Sequence, residues 1–538
     1  MITKLKNESG VVMIVCLSLL LMLSLIGIAS ISTSNTDMDI AGNEFKNTGA
    51  FYAAESGLEK AAAAIITNYE TNGIPPSPLP SAVLSEMNYT YNYTTTDLGP
   101  AVNTQLTTGA YKGLYGSVKT FSINSIGTDA NRVSSVELEM KISDALIPLF
   151  QFAVFYENDL EIAPGPDMIL GGRVHTNSDM YIQAGSDLYI DSYLTAAGNI
   201  HHGVRNDNNG NDVWIKDDND VYQTMKNANG TMLDSDDPNW VNASLNRWGG
   251  RVEDSNHGIT QLDMEVVSDG DPTNLIDRYD NGSNPESMEN QAGLKIINGN
   301  AYYLQGNGTW ANVTAPMISS GAISAGTFYD DRENKTVFSV DIDMDKINTS
   351  PYWPSNGIIY CSTDYSSSSI KAVRLTNGQE LAGDLTVATD NPLYTLGDFN
   401  TVNKKPASLM ADAITILSND WDDANSGLGL SSRIASNTQV NASYMTGNTL
   451  SYPDGYGYNG GFENLPRFLE NWRGKTFKWR GSAVDLWYSR QANESWGGGY
   501  YNPPNRDWAY DPDLQDPSKL PPGTPVVNIV QRKSWTQK

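Results

Sequence analysis

The sequence predicts an α+β protein: a long N-terminal helix, a small antiparallel sheet, then a mainly-β body wound as a right-handed parallel β-helix or solenoid. Three observations predict it. Residues 10–31 read GVVMIVCLSLLLMLSLIGIASI, an almost unbroken apolar run. Residues 87–142 hold the alternating stretches MNYTYNYTTT, GSVKTFSINSIG and VSSVELEMKI. Past Pro148, short apolar triplets recur between glycine, asparagine and aspartate turns.

The apolar run carries no charge and no proline. About 20 such residues suffice for a helix to cross the roughly 30 Å hydrocarbon core of a bilayer. In hydrocarbon an unpaired backbone group is costly, so helix is the natural conformation. Lys4 and Lys6 precede the run and Asp37 is the first charge after it. A positive leading flank places the N-terminus in the cytoplasm and the remaining chain outside, with residues 11–31 in the membrane. A cleavable secretory signal is the alternative. It fits poorly, because the apolar stretch is long and Ala29-Ser30-Ile31 is a weak small-residue cleavage site. A lipoprotein reading at Cys16 fails on Val15, where a small residue is required.

The helix is expected to continue well beyond the membrane, since no proline appears before Pro75. Phe51, Ala54, Leu58, Ala61 and Ile65 recur at three- and four-residue steps and give one buried stripe. Gly27, Gly42, Gly49 and Gly57 each weaken a helix by about 1 kcal/mol relative to alanine, so local bends are expected. Continuous from Val11 to Tyr69, the helix would reach about 90 Å.

Gly10 before the apolar run, the Ala41-Gly42-Asn43 element, and Ala50-Phe51-Tyr52-Ala53-Ala54-Glu55-Ser56-Gly57-Leu58-Glu59 together carry a resemblance. They resemble the N-terminal region of PilX-type pilus assembly proteins, the minor pilins of type IV pili. The resemblance covers roughly the first 65 residues. It implies that a prepilin peptidase cuts after Gly10 and frees Val11, leaving residues 1–10 as a cytoplasmic leader. It also implies inner-membrane location, pilin or pseudopilin subunits as partners, and Ala53, Ala54, Glu55, Gly57 and Leu58 as the family motif. Val15 stands where pilins usually carry a glutamate, a departure common among PilX-type sequences. Later pieces resemble the body of large PilX-headed bacterial proteins. Among them are FQFAVFYENDLEIAPGPDMILGGRVHTNSDMYI, NPLYTLGDFNTVNKKP and LPRFLENWRGKTFKWRGSAVDLWYSRQ.

At 538 residues the chain is long enough for more than one domain. With 62 acidic against 35 basic residues its formal net charge is -27, which argues against nucleic acid as a partner. Cys16 and Cys361 are too differently placed to bridge, so strand pairing and packing must hold the body.

Pro75-Pro76-Ser77-Pro78 stops the helix, so the chain divides into a helix over 11–73 and a small β segment over 74–147. A β-solenoid-like domain follows over 148–497. Met168-Ile169-Leu170, Arg173-Val174-His175, Met180-Tyr181-Ile182 and Leu188-Tyr189-Ile190 suit its rungs, as do LKIINGNAYYLQGNGTW, GIIYCSTDY and DAITIL. No fixed repeat period stands out, and a β-sandwich is the alternative. Residues 204–290, rich in Asp, Asn and Gly, read as an insertion. The Pro-rich end, 498–538, reads as a wrap or cap, with 502–525 unable to form regular sheet.

Catalytic patterns are absent. His175, His201, His202 and His257 read as turn residues, and His201-His202 beside Asp207 lacks the spacing of a zinc site. No GxSxG elbow supports a serine nucleophile. Asp384, Asp390 and Asp398 are candidates for polysaccharide cleavage, but turn aspartates explain them equally. Calcium is the one cofactor the residues suggest. Asp207, Asn209, Asn211 and Asp218 nearly match positions one, three, five and twelve of an EF-hand-like loop, with Asp212 where its glycine belongs. Asp341, Asp343 and Asp345 alternate as on one strand face. Trp472, Trp479, Trp487, Trp496, Tyr500 and Tyr501 concentrate near the C-terminus, where packing or contact with a surface glycan is expected. Two functions follow: a non-enzymatic minor pilin displaying a β-rich domain for adhesion or surface contact, or a membrane-anchored β-helix that binds or degrades extracellular polysaccharide.

Overall fold

The computed structural model describes residues 9–72, 74–86, 88–131, 134–205, 210–264, 271–278, 287–451 and 459–538. They form two compact units: Met1–Ala101 with Lys119–Asp144 and Val530–Lys538, and Val102–Val118 with Ala145–Ile529.

The first unit is built on one uninterrupted helix, Ser9–Asn72, which passes through all four glycines. Its first half lies bare, with every large apolar residue from Val11 to Ile31 exposed. Its second half buries Ala50, Ala54, Leu58, Ala61, Ala62, Ile65 and Tyr69 against Phe121, Ile123, Val136, Leu138, Met140 and Ile142. The stripe read from sequence is therefore the packed face, and Phe51 sits at its margin. Glycine is required where helix and sheet come closest. A Cβ on Gly49 would overlap the Tyr89 ring, and one on Gly57 would overlap Ser125 Oγ. From the sheet side, a Cβ on Gly127 would strike the backbone of Ala50 and Ala54. Two of the residues expected to bend the helix instead let the sheet approach it.

Strands Ser81–Glu86, Tyr89–Asp97, Tyr115–Asp129, Ser135–Pro148 and Val526–Gln537 lie side by side in that order. The first two pairs are antiparallel, with Tyr91 opposite Gly127. The C-terminal strand departs from the expected cap. Its hydrophobic and charged contacts explain why it returns here: Trp535 meets Phe51 edge-on, and Arg532 donates twice to Glu59, at 3.0 and 2.6 Å. Lys538 pairs with Glu139 at 2.7 Å.

The second unit is built from parallel ladders. Leu160–Ile162, Met180–Ile182 and Ile200–His202 stack in register. Met168–Leu170, Leu188–Ile190 and Val213–Lys216 do the same. Asp179 N donates to Asp159 Oδ1, Asn199 N to Asp179 Oδ1 and Asp187 N to Asp167 Oδ1, each across 20 residues. A 20-residue period thus exists in this stretch, carried by turn aspartates and one asparagine as well as by the apolar triplets. The largest sheet has twelve strands. Starting at Phe152–Tyr156, the chain adds Arg173–Thr176, Leu194–Ala196 and Val252–Glu253 in one direction. It then resumes at the far side with Leu294–Ile297 and works back through Ile358–Ser362, Leu385–Ala388, Ala407–Ala411, Ser443–Thr446 and Ala483–Asp485. Ala483–Asp485 finally pairs parallel with Phe152–Tyr156.

Each rung turns alternate side chains to two faces. One set joins the interior cluster with Val154, Val174, Leu194, Leu294, Ile359, Leu385, Leu409 and Tyr444. The other set, Phe155, Val484, Met445, Met410, Ala388 and Tyr360, is buried with Leu262, Leu275, Ile276, Met288 and Ala292 from the crossover. Contrary to expectation for 502–525, Asn505–Tyr510 pairs parallel with Thr476–Gly481.

Gly127→Ala should cost the first unit about 1–3 kcal/mol, because backbone rather than a movable side chain blocks the methyl. Gly42→Ala, with open space around it, should gain about 1 kcal/mol. Thermal unfolding of the full chain in detergent, followed at the first unit by limited proteolysis, distinguishes the two.

Candidate functional site in the N-terminal helix

Gly10 and Val11 are exposed at the start of the helix, with open space around Gly10. Val15 is also exposed. Farther along, Ala53, Ala54, Gly57 and Leu58 are buried, and Glu55 lies half-exposed between them with no hydrogen bond or ion pair among the described residues. The motif thus combines small residues that admit the sheet with a carboxylate left at its edge. Lys60 follows one turn on, with Nζ donating to Tyr91 Oη at 2.5 Å and to Glu86 at 3.0 Å. Those two bonds raise the Lys60 ammonium above its ordinary range.

The other sequence candidates scatter. Asp207 and Asn209 lie outside the described residues. Asn211 pairs its backbone with Ala184 and donates from Nδ2 to Gly185 O at 2.7 Å. Asp218 accepts from Asn219 Nδ2 at 3.0 Å, on the far side of strand Val213–Lys216. Among the described residues no three His, Cys, Asp or Glu side chains form a metal-holding group. His201 stacks on Tyr181 and lies 3.4 Å from Asp236, whereas His202 is buried and its Nε2 meets Asn211 O at 3.1 Å. His175 is no turn residue. It is fully buried between Thr195 and Asn177, and desolvation pulls its imidazole down to about 4.

Asp384, Asp390 and Asp398 occupy separate turns with no bond joining them. Desolvation pushes Asp390 up to about 6, while Asp398 accepts from Gln439 N and Asn419 Nδ2. Asp341 is buried on Arg374 Nε at 3.0 Å and Nη2 at 2.5 Å. Asp343 caps the helix Met344–Asn348, which removes Asp345 from the strand. Trp472, Trp479 and Trp508 pack in the interior with Phe468, Phe477 and Tyr501. Trp487 packs on the opposite face, and Trp496 donates to Tyr501 Oη at 3.0 Å.

One constellation escaped the sequence reading. His257 Nε2 lies 2.7 Å from Ser244 Oγ, and its Nδ1 lies 2.8 Å from Asp254 Oδ1. Burial pushes the Asp254 carboxyl up, but donors on His257, Ser235, Asn256 and Trp240 outweigh it and hold it near about 2. Ser244 is completely enclosed, so no substrate reaches the hydroxyl, and the trio fastens helix Trp240–Trp248 to the turn at 254–257. Its only signal is the three-residue spacing of Asp254 and His257, typical of a capping box.

Residues 9–59 match the family model described as PilX N-terminal. That stretch of the helix is similar to the PilX N-terminal family. No curated protein matches the chain. Among solved structures, the competence-associated pilin ComZ from Thermus thermophilus aligns over 92% of this chain and 97% of its own, at 12% identity and a TM-score of 0.28. At that score the likeness carries no argument. The helix that holds the matched stretch is the one helix, among the described residues, long and apolar enough to cross a membrane. It fits a single-pass anchor.

Glu470 offers a pH test of the second unit. Burial pushes its carboxyl up to about 7, although Ser418 N and Oγ each donate to it at 2.7 Å. An unfolded glutamate titrates near about 4.3, so folding takes up a proton between these values. The stabilisation from protonated Glu470 is present below about 4 and lost as pH rises through about 7. Glu470→Gln should therefore unfold with a flatter pH dependence than the parent between pH 5 and 8, read by denaturant titration at each pH.

Proposed function

We propose that the chain is a non-enzymatic minor pilin or pseudopilin-like subunit of a type IV pilus or related secretion pseudopilus. The observation that carries the reading is a single helix with two environments. From Val11 to Ile31 it is bare and apolar, and from Ala50 to Tyr69 it is sealed under its own sheet. That division suits a segment held in the inner membrane and later shared with other subunits, while the sheet keeps the rest of the chain outside. The match of residues 9–59 to the PilX N-terminal model supports it. A prepilin peptidase would remove residues 1–10 after Gly10, and Val11 would head the mature chain. Val15 in place of a glutamate leaves no carboxylate to pair with the new N-terminal amine, so docking of this subunit rests on apolar packing of the helix.

The parallel ladders read as coils of a β-helix, entered from the middle. They support a rigid body displayed outside the membrane for adhesion or surface contact. The exposed helix start is the part that processing must reach. N-terminal sequencing of membrane-extracted protein should give Val11 in cells with prepilin peptidase and Met1 in cells without it. Gly10→Leu should retain Met1 in both. Met1 in every sample would overturn the pilin reading.

A further inference from the structure

Between Lys404–Ala407, Asn441–Ser443, Arg480–Gly481 and the turns at 511–519 the second unit holds a cavity of about 190 Å³. In a chain of net charge -27 its lining is locally basic: Lys404, Lys405, Arg480 and Lys519 against Asp511 and Asp513. Most of these charges are engaged. Lys404 Nζ donates to both Asp511 oxygens, at 2.8 and 2.6 Å, and to Asp513 at 2.8 Å. Arg480 is held by Asp507 and by two backbone carbonyls. The surplus sits on the other two. Lys405 Nζ makes no hydrogen bond or ion pair among the described residues, and half-exposed Lys519 makes one, to Asp513 at 2.8 Å.

Surplus cations select an anion. The size is that of about six waters at roughly 30 Å³ each, which suits one sugar ring rather than an extended chain. Asp511 and Asp513 already accept from Lys404 and Lys519, and a ligand that uses their remaining lone pairs must bring hydroxyl donors along with its negative charge. An acidic peptide side chain brings the charge alone. We propose that this cavity binds a carboxylated sugar unit, its carboxylate on Lys405 and Lys519 and its hydroxyls on Asp511 and Asp513. The site names a ligand class for the displayed body and rests on the pilin reading only for where that ligand is met.

The test uses the purified full-length chain in detergent, titrated with glucuronate, glucose, free aspartate and inorganic sulfate by calorimetry. Glucuronate should saturate, bind more weakly as ionic strength rises, and lose about tenfold or more in Lys405→Glu and in Lys519→Glu. Lys405→Gln, which removes the charge without reversing it, should also weaken binding, and unchanged thermal unfolding shows that the variants fold. Failure to saturate, or equal affinity in parent and variants, overturns the site. Sulfate or aspartate binding as tightly as glucuronate overturns the sugar assignment. Each readout is independent of processing at Val11, so failure of the pilin reading and failure of this site are separable.

Discussion

Ala483–Asp485 lies in parallel register on Phe152–Tyr156, and Ser482 Oγ donates to the Phe152 carbonyl at 2.6 Å across 330 residues of chain. Everything else in the second unit is arranged around that joint. On one side the rungs climb to Val252–Glu253; on the other they have descended from Leu294–Ile297. Without the pairing there would be two smaller sheets, each with an exposed edge at its centre. The crossover reinforces the joint from outside, since Leu262, Leu275 and Ile276 lie in the same buried cluster as Phe155 and Val484. Such long-range closure adds only a logarithmic entropy term, but it delays the contacts that stabilise the sheet most.

A different constraint governs the first unit, and it is one of spacing. Ala50, Ala54, Gly57 and Gly127 bring helix and strand backbones into direct contact. The small residues of this stretch therefore have a structural explanation independent of any partner. Glu55 does not share it, because its half-exposed carboxylate makes no hydrogen bond or ion pair among the described residues. Within the motif, then, packing accounts for the alanines, glycine and leucine and leaves the acid for another role.

Periodicity made the first unit's helix readable, and strand alternation made most of its sheet readable, since both record which side of an element meets the core. Its last strand was hidden. Val526–Gln537 has an ordinary alternating pattern, but nothing local says that its neighbour lies hundreds of residues earlier. In the second unit the apolar triplets were legible as strands, while their 20-residue period was hidden because Val213–Lys216 pairs with Leu188–Ile190 without keeping that spacing. Histidines were misread for a related reason. His175 and His257 look like solvated turn residues in sequence, and only the fold brings the Thr195 and Ser244 hydroxyls that, with the local Asn177 amide and Asp254 carboxylate, make their burial tolerable. The cavity cations come from three separated stretches, 404–405, 480 and 519, so no motif scan would join them.

The return of residues 530–538 to the first unit has a temporal side. The helix leaves the ribosome hundreds of residues before the strand that completes its sheet. Throughout synthesis of the intervening residues, the edge of Ser135–Pro148 has no permanent neighbour. An unfinished edge beside a bare apolar helix is a hazard for a nascent chain. The cell must either escort that edge or make the intervening residues quickly, and a chain cut short before Val526 would carry the defect for good.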